Sequence, residues 1–285
     1  MFDFQLHSTA SDGTLRPKEV VALCARNGLK TIAITDHDTV AGVEEALTAG
    51  SKFGVRVIPG CELSVEHNGQ EFDILCYHID HRNLALVERM AFYRQVRIER
   101  AHAVIAKLQK QGFAISFEEV AKIADGSIGR PHIAKAIFLH ANNVERLAQI
   151  GIKNPFEFVG AFMTSGKDAY VEREKFRFVE AISLVHNAGG VGVLAHPGWT
   201  FRNEFEQRLP AFLSELKSLG LDGVETFYRT HEERHTRFVH SLAVELDLKE
   251  TAGSDFHNPD DPIFHMVGAW ESFGIETNFE WITQR

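Results

Sequence analysis

Histidine and acidic residues recur in this sequence at one kind of position, after or within short apolar segments that are typical of β-strands. The candidates are His7, Asp12, Asp36-His37-Asp38, Glu62, Asp73, His196, Asp255 and His257. Imidazole and carboxylate groups together are ligands that Zn²⁺, Mn²⁺ and Fe²⁺ take in proteins, and a bridging carboxylate can hold two such ions. The pattern therefore predicts a metal centre whose ligands are far apart in the chain.

Each candidate also has a simpler explanation when it is taken alone. A single histidine is often a hydrogen-bonding residue of the surface or the core. Asp12 precedes Gly13 and could hold a turn, and Asp36 or Asp38 could cap the helix that follows. These explanations act on one residue at a time, so they do not account for compatible ligands after successive strands.

The elements that must position these residues alternate between strands and helices. The first part of the chain predicts strands at 2–6, 31–35 and 55–58, separated by helices at 17–26 and 40–53. A fourth strand at 72–77 follows the turn His67-Asn68-Gly69, and further strands are predicted at 191–195, 223–227 and 249–252. Since the carboxyl ends of parallel strands gather on one face, an α/β fold would bring the candidate ligands together there.

Residues 83–165 have a different pattern, in which strand-like segments are absent and helical periodicity dominates. Helices are predicted at 84–111, 117–124, 131–141 and 155–162. We therefore expect a helical insertion at 83–165 within a domain formed by residues 1–82 and 166–285.

Composition excludes several classes of protein. The 285 residues are 44% apolar and 24% charged, as in soluble globular proteins, and the formal net charge of −9 disfavours broad contact with a nucleic-acid backbone. The 3 cysteines form no C-x-x-C pair, which favours a reducing compartment. No export signal or membrane-length apolar segment is present, so we expect a soluble cytoplasmic protein with no membrane or duplex nucleic-acid partner.

Five ordered motifs together resemble the PHP (polymerase and histidinol phosphatase) superfamily. They are Leu6-His7-Ser8-Thr9-Ala10-Ser11-Asp12-Gly13, Thr35-Asp36-His37-Asp38, Pro59-Gly60-Cys61-Glu62, Ala195-His196-Pro197-Gly198 and Gly253-Ser254-Asp255-Phe256-His257. The resemblance covers almost the whole chain. It is to the stand-alone phosphoesterase branch, which includes nucleoside 3′,5′-bisphosphate phosphatases and RNA 5′-end exonucleases. The resemblance implies a distorted (βα)7 barrel with two or three divalent metal ions at its carboxyl face.

The resemblance also implies how the ligands are shared. A first metal ion would bind His7, Glu62 and Asp255; a second would bind Glu62 and His196; and a third would bind Asp12, His37 and His257. The sequence departs from the family at two positions, because Gln5 stands where a first histidine is expected and Asp73 where the strand-four histidine is expected.

These two departures alter the expected metal preference. The amide oxygen of Gln5 is a weaker donor than imidazole, whereas the carboxylate of Asp73 suits harder cations. We expect a working centre that favours Mn²⁺ or Fe²⁺ and can take Zn²⁺, with a labile site beside Gln5. The alternative is a decayed site without catalysis.

The expected chemistry is hydrolysis of a phosphate ester. Neighbouring divalent ions can lower the pKa of a bound water and supply a hydroxide nucleophile. The sequence has no G-x-S-x-G elbow and no glycine-rich nucleotide loop. The predicted function is a metal-dependent phosphoesterase that hydrolyses a phosphate monoester of a nucleotide or small phosphorylated metabolite. The alternatives are a 5′–3′ exoribonuclease acting on short RNA and a catalytically silent nucleotide-binding regulator.

Several cationic and aromatic residues could contact a phosphorylated substrate. Arg130 and His132 open a predicted helix, and the family has a similar Arg-x-His at this point. Lys167 and Tyr170 lie in a segment that resembles one near the family's substrate, although both could simply order a loop.

Two further groups have open roles. Arg97 and Arg100 share a helical face that is either solvated or a binding site for extra phosphates. His231 is a candidate phosphate contact or general acid, with Glu225 as the group that orients it.

Overall fold

A computed structural model describes residues 1–124, 128–172, 174–201 and 204–284. The chain forms two compact units. The first comprises Met1–Arg89 and Lys175–Arg285, and the second comprises Met90–Glu174. The insertion predicted at 83–165 overlaps the second unit, and its status as a separate domain stays a prediction.

The regular elements follow the predicted order closely. The strands are β1 (Phe2–Asp3), β2 (Thr31–Ile34), β3 (Arg56–His67), β4 (Gln70–Tyr77), β5 (Phe176–Arg177), β6 (Val191–Leu194), β7 (Gly223–Tyr228) and β8 (Lys249–Gly253). The helices are α1 (Pro17–Arg26), α2 (Val43–Phe53), α3 (Leu84–Lys110), α4 (Phe117–Ile123), α5 (Arg130–Leu139), α6 (Val144–Ile150), α7 (Pro155–Phe162), α8 (Phe178–Asn187), α9 (Pro197–Phe201), α10 (Phe205–Ser218), α11 (Glu233–Glu245) and α12 (Glu280–Thr283). Within the described ranges, no helix is both long and apolar enough to cross a membrane.

The strands of the first unit form a nearly closed barrel. Their order is β1-β2-β3-β4-β6-β7-β8, with β5 paired to β3. The sheet is parallel except where β4 runs antiparallel to β3 and β6. Beyond β1, Leu6 bridges Phe256, and the Phe4 N–H donates to the Ala252 carbonyl at 2.9 Å, so the first and last strands meet. The predicted distorted barrel is confirmed.

Apolar strands and amphipathic helices explain this architecture. All four residues of β2 are buried, as are all four of β6, which is the pattern of parallel strands covered on both faces. On α1, Val20, Val21 and Cys24 are buried against Ile32 and other residues of one apolar core. Helix α2 ends at Gly54, whose φ of 69° is the left-handed conformation that favours glycine.

The third strand is much longer than the 55–58 predicted from its apolar residues. β3 and β4 form a hairpin around Asn68 and Gly69, which both have positive φ (50° and 77°), as a tight two-residue turn requires. Glu62 therefore lies inside β3, opposite Leu75, instead of following the end of a short strand. The second half of β3 contains polar residues, so a prediction based on apolar residues alone missed it.

The second unit is helical and has an apolar core of its own. It contains α4 to α7 and the part of α3 that begins at Met90. Its core includes Leu108, Val120, Ile137 and Phe158. Ser116 caps α4, because its Oγ accepts from the Glu119 N–H at 3.2 Å while Glu119 Oε2 accepts from the Ser116 N–H at 2.7 Å.

Candidate metal centre

Backbone pairing beyond the strands brings the predicted ligands to one end of the barrel. The His7 N–H donates to the Phe256 carbonyl at 2.9 Å, which places His7 beside the segment that holds Asp255 and His257. His37 pairs with Glu62 in an isolated parallel bridge just after β2. Residues from the first and last thirds of the chain thus become neighbours, as the strand-end argument predicts.

Glu62 lies at the middle of these side chains and is fully buried. Its Oε2 is 3.2 Å from His7 Nε2 and 3.5 Å from His37 Nδ1. Its Oε1 is 2.9 Å from His196 Nε2. Asp73, in β4, belongs to the same group, because ligand atoms of His37, Glu62 and Asp73 lie within 4.8 Å of one another. A carboxylate with both oxygens in such contacts is suited to bridging two cations.

His7, Asp12, Asp255 and His257 make a second set of contacts. His7 Nε2 is 3.1 Å from Asp255 Oδ1, and Asp12 Oδ1 is 3.3 Å from His257 Nε2. The rings of His7 and His257 stack with their centres 4.1 Å apart. Two further groups able to hold a cation result: one of His7, Glu62 and Asp255, and one of His7, Asp12, His37 and His257.

The electrostatics of the cluster favour added positive charge. Burial lowers the pKa of His7, but the adjacent carboxylates of Asp255 and Glu62 outweigh it and hold the pKa well above 6.5. Burial likewise opposes protonation of His196, yet its bond to Glu62 raises the pKa to about 10. A metal ion and a proton both supply positive charge to the carboxylates and compete for the same ring nitrogens. Binding of a divalent ion would therefore release protons from the imidazoles.

Buried ring nitrogens supply a test of whether a metal fits this cluster. Both nitrogens of His7, with Nδ1 of His37 and of His196, are buried and make no hydrogen bond of regular geometry to the described residues. Such orphaned polar atoms are rare unless they bind something else. Imidazoles and carboxylates at these distances form a donor set that suits divalent transition metals, so the residues present fit the metal ions that the sequence predicts.

The backbone at three of these positions adopts an uncommon conformation. His196 and Asp255 directly follow buried strand segments with φ of 27° and 54°, and Asp38, next to His37, has φ of 52°. A non-glycine residue in this region costs about 1–3 kcal/mol and is concentrated at functional sites. The sharp change of direction aims the side chains at the end of the barrel.

Other buried groups hold the ligands in place, and sequence patterns did not identify them. The Tyr228 hydroxyl donates to Asp255 Oδ2 at 2.8 Å. Asp3 accepts from the Ser254 N–H at 3.0 Å and from its hydroxyl, and also from the Gly268 N–H. Asp3 therefore fixes the residue that precedes Asp255. Tyr228 is the last residue of β7, and this position at a strand end could have identified it as a residue of the site.

Asp36 anchors the loop that follows His7. Its Oδ1 accepts from the Ser8 N–H and from the Ser11 hydroxyl, both at 2.7 Å, and its Oδ2 accepts from the Ser8 hydroxyl at 2.7 Å. The helix-capping role considered for Asp36 is therefore wrong, because its carboxylate faces this loop. The bonds position both His7 and Asp12.

His231 makes contacts that differ from those of an exposed phosphate ligand. Its Nδ1–H donates to the Thr226 carbonyl at 3.1 Å, and its Nε2 accepts from the Gly198 N–H at 3.3 Å. Burial lowers its pKa to about 4, so the ring is neutral near pH 7. The orienting role expected of Glu225 is wrong in the described contacts, because Glu225 Oε2 accepts from the His196 N–H at 2.8 Å. These contacts favour a positioning role for His231.

His231 lines a cavity of about 520 Å³. One of its lining residues, Gly198, lies two residues after His196 in the chain, and the lining combines aromatic rings with polar groups. Its lining includes Gly198, Trp199, Phe205, Thr230, His231 and Arg234. Such a mixture suits an organic ligand with an apolar body and polar edges.

The remaining predicted substrate contacts belong to the second unit. Arg130 begins α5 and donates to the Met163 carbonyl at 3.3 Å, and His132 Nδ1 accepts from the Gly129 N–H at 3.0 Å. Arg100 donates to the Val171 carbonyl at 2.7 Å and lies 5.8 Å from the ring centre of Tyr170. Arg97 is half-buried and Lys167 is exposed. Contact of these residues with substrate stays a prediction.

Comparison with known proteins agrees with this geometry. The PHP domain family matches residues 3–177, which is more than half of the chain. The chain belongs to the PHP domain family. Three of the five motifs, those at 6–13, 35–38 and 59–62, lie within the matched residues.

Three relatives cover nearly the whole length of this PHP protein. A 5′-3′ exoribonuclease of Haemophilus influenzae is 29% identical over 95% of this chain and 98% of its own. A 3′,5′-nucleoside bisphosphate phosphatase of Chromobacterium violaceum is 30% identical over 90% and 87%. The solved structure of an amidohydrolase from Chromobacterium violaceum, with bound sulfate and no metal, is 27% identical with a TM-score of 0.84, covering 98% of this chain and 94% of its own.

Proposed function

We propose that this protein hydrolyses a phosphate monoester of a nucleotide or small phosphorylated metabolite. The enzyme class follows from the family: the chain is a metal-dependent phosphoesterase. The observation that carries the proposal is the contact of buried Glu62 with His7, His37 and His196, at distances of 2.9–3.5 Å. This carboxylate joins the two sides of the cluster, and its loss should abolish the reaction.

The contacts, together with the resemblance to the family, support a role for each ligand. Glu62 with His7 and Asp255 would hold one ion, Glu62 with His196 and Asp73 a second, and Asp12 with His37 and His257 a third. When bound, such ions lower the pKa of a water ligand and neutralise charge on phosphoryl oxygens.

Neighbouring groups fix the ligands in the form that binds cations. His257 Nδ1–H donates to the Asp255 carbonyl at 2.7 Å, so Nε2, which lies 3.3 Å from Asp12 Oδ1, is the ring nitrogen that would bind a cation. Tyr228 holds the second oxygen of Asp255, so Oδ1 faces His7. Preorganisation of this kind reduces the reorganisation needed when a phosphate arrives.

The identity of the metal is part of the proposal. The cluster contains the carboxylates of Asp12, Glu62, Asp73 and Asp255, a share of oxygen donors that favours Mn²⁺ or Fe²⁺ and permits Zn²⁺. Metal analysis of the purified protein, with reconstitution of the stripped protein by each ion in turn, tests this order. Activity restored by Zn²⁺ alone would contradict it.

A nucleotide-like substrate is supported by the cavity beside His231. Trp199 and Phe205 line it with aromatic surface, and Arg234 offers a charge to phosphate. The bisphosphate phosphatase among the relatives acts on such a molecule by its name, and the related amidohydrolase structure binds sulfate, an anion similar to phosphate. The second candidate, removal of nucleotides from the 5′ end of short RNA, is favoured by the exoribonuclease relative.

The test compares three substrates in one assay. Purified protein is stripped with a chelator, reloaded with Mn²⁺ and given a nucleoside 3′,5′-bisphosphate, a nucleoside 5′-monophosphate and a 5′-phosphorylated RNA oligonucleotide. Glu62→Gln should remove activity and weaken metal binding at least about 100-fold. Glu276→Gln, an exposed position with the same change of charge, is the matched control and should behave as wild type.

The outcomes separate the candidates. Release of phosphate from the bisphosphate supports the first proposal, and shortening of the oligonucleotide supports the second. Substrate-induced stabilisation without turnover in the Mn²⁺-loaded protein would overturn both and favour a silent regulator.

The compartment is a separate proposal. Cys24, Cys61 and Cys76 are buried free thiols, although Cys61 and Cys76 are register partners on β3 and β4. Retention as thiols supports a cytoplasmic location. Fractionation of the native cells tests it, and recovery outside the cytoplasm would contradict it.

A further inference from the structure

Gln5 and Glu225 form a buried pair beside the metal centre that the reaction described above does not use. Both side chains are fully buried. Gln5 Nε2 points toward Glu62 Oε2 at 3.5 Å, while Gln5 Oε1 has no donor among the described residues. Glu225 Oε2 accepts from the His196 N–H at 2.8 Å, but Glu225 Oε1 also lacks a donor within the described part of the chain.

The two orphaned oxygens are neighbours because residue 253 is glycine. A methyl group on Gly253 would lie 2.5 Å from Glu225 Oε1 and 3.2 Å from Gln5 Oε1. Two acceptor oxygens therefore border the same small space without a hydrogen atom between them. Leaving buried acceptors unsatisfied destabilises the folded state.

Rotation of the Gln5 amide by half a turn resolves the conflict. The NH₂ group would then face Glu225 Oε1, and the amide oxygen would face Glu62 Oε2 and, beyond it, His7 Nε2. An amide oxygen beside a carboxylate oxygen is repelled unless a cation lies between them. An amide NH₂ cannot ligate a metal, whereas the amide oxygen can.

We propose that Glu225 is the positioning residue that turns the Gln5 amide oxygen toward the metal ion held by His7, Glu62 and Asp255. Without metal, the Gln5 NH₂ faces Glu62; with metal, it donates to Glu225 Oε1 and the oxygen becomes a ligand. Glu225 thereby lets a glutamine serve where the family has a histidine. The inference rests on the proposed metal-dependent function.

A different hydrogen bond between Glu225 and Gln5 would predict a different result. A protonated Glu225 would donate from Oε1 to Gln5 Oε1 and leave the Gln5 NH₂ facing Glu62, so Gln5 would never ligate. The variant Glu225→Gln distinguishes the two. Its amide oxygen must keep the place of Oε2 to accept from the His196 N–H, so its NH₂ takes the place of Oε1 and can donate but not accept.

The experiment is a double-mutant cycle on the full chain, read out as Mn²⁺ affinity and stoichiometry by titration. Glu225→Gln should weaken one Mn²⁺ site about 10–100-fold, the usual effect of losing a group that orients a ligand. Gln5→Leu should weaken the same site. Glu225→Gln should add less than about threefold in the Gln5→Leu background, because the residue it positions is gone.

The outcomes are separable from those of the proposed function. Unchanged Mn²⁺ affinity in Glu225→Gln, or equal losses in both backgrounds, would overturn the inference while leaving a metal-dependent enzyme intact. Wild-type protein that binds no divalent metal would overturn the proposed function instead. If a variant does not fold, a crystal structure of Mn²⁺-loaded wild type decides: the inference requires Gln5 Oε1 within about 2.5 Å of the ion.

Discussion

Removal of the Asp36 carboxylate should damage both the stability of the protein and its affinity for metal. Asp36 is 2% exposed and accepts three hydrogen bonds of 2.7 Å from Ser8 and Ser11. These bonds hold the loop between His7 and Asp12. Asp36→Ala leaves a buried N–H and two hydroxyl groups without their acceptor.

The expected magnitude follows from the number and kind of these bonds. Hydrogen bonds to a charged group contribute about 1.5–3 kcal/mol each. The serine hydroxyls can turn to other acceptors, so we expect a loss slightly below the lower end of the sum, about 4 kcal/mol for Asp36→Ala. In a protein of this size that corresponds to a fall of about 8 °C in Tm.

Asp36→Asn should lie between wild type and Asp36→Ala. Its amide oxygen can keep the two bonds of Oδ1, and its NH₂ can donate to the Ser8 hydroxyl oxygen in place of the bond accepted by Oδ2. The hydrogen bonds are kept, but they are made to a neutral amide instead of a carboxylate. We expect a destabilisation of about 1–2 kcal/mol.

The assay uses metal-free protein, because bound metal would add its own stabilisation. Urea and thermal unfolding measure stability, and Mn²⁺ titration measures affinity, which should fall about 10–100-fold in Asp36→Ala. Asp260→Ala and Asp260→Asn, at an exposed position, control for the change of charge. The reasoning is refuted if Asp36→Ala is as stable as Asp260→Ala or binds Mn²⁺ as tightly.

Three further predictions test the groups that hold the ligands. Tyr228→Phe removes the 2.8 Å bond to Asp255 and should weaken Mn²⁺ binding about tenfold; titration showing wild-type affinity would contradict this. Burial raises the pKa of the Asp3 carboxyl from 3.8 to about 6. The preference of the folded state for the protonated carboxyl therefore stabilises the protein in full below pH 3.8, and this stabilisation is lost as the pH rises to about 6. Urea unfolding of metal-free protein should therefore show wild type losing about 3 kcal/mol relative to Asp3→Asn between pH 4 and pH 7, and a constant difference would argue against a buried charge. Burial lowers the pKa of His231 to about 4, so its ring nitrogens should report a neutral imidazole with the proton on Nδ1 in NMR spectra above pH 5; protonation near pH 6.5 would contradict this.

Nine of the 15 histidines fall into two kinds of site. Four of the 15 histidines, His7, His37, His196 and His257, lie in the metal centre. Five others pair with carboxylates in contacts outside the centre, at His67–Glu215, His81–Glu44, His140–Glu119, His186–Asp222 and His240–Glu250. Composition alone drew attention to histidine, but it could not separate ligands from partners of nearby acids.

The order of elements and the residues of the candidate site could be predicted because both depend on local patterns. β6 was predicted at 191–195 and observed at Val191–Leu194, since an apolar run bounded by glycine and histidine is a local signal. His196 and Asp255 follow their strands by chain connectivity alone. The parallel arrangement of those strands then requires their ends to meet.

The tertiary structure decided what local patterns do not encode. The polar half of β3 is a strand because β4, and β5 near its end, pair with it, and the pairing with β4 carries Glu62 to the middle of the cluster. The approach of Tyr228 to Asp255 and of Glu225 to His196 depends on the register and twist of neighbouring strands. The sequence by itself determined which residues can bind metal, whereas packing across the sheet determined which buried groups orient them.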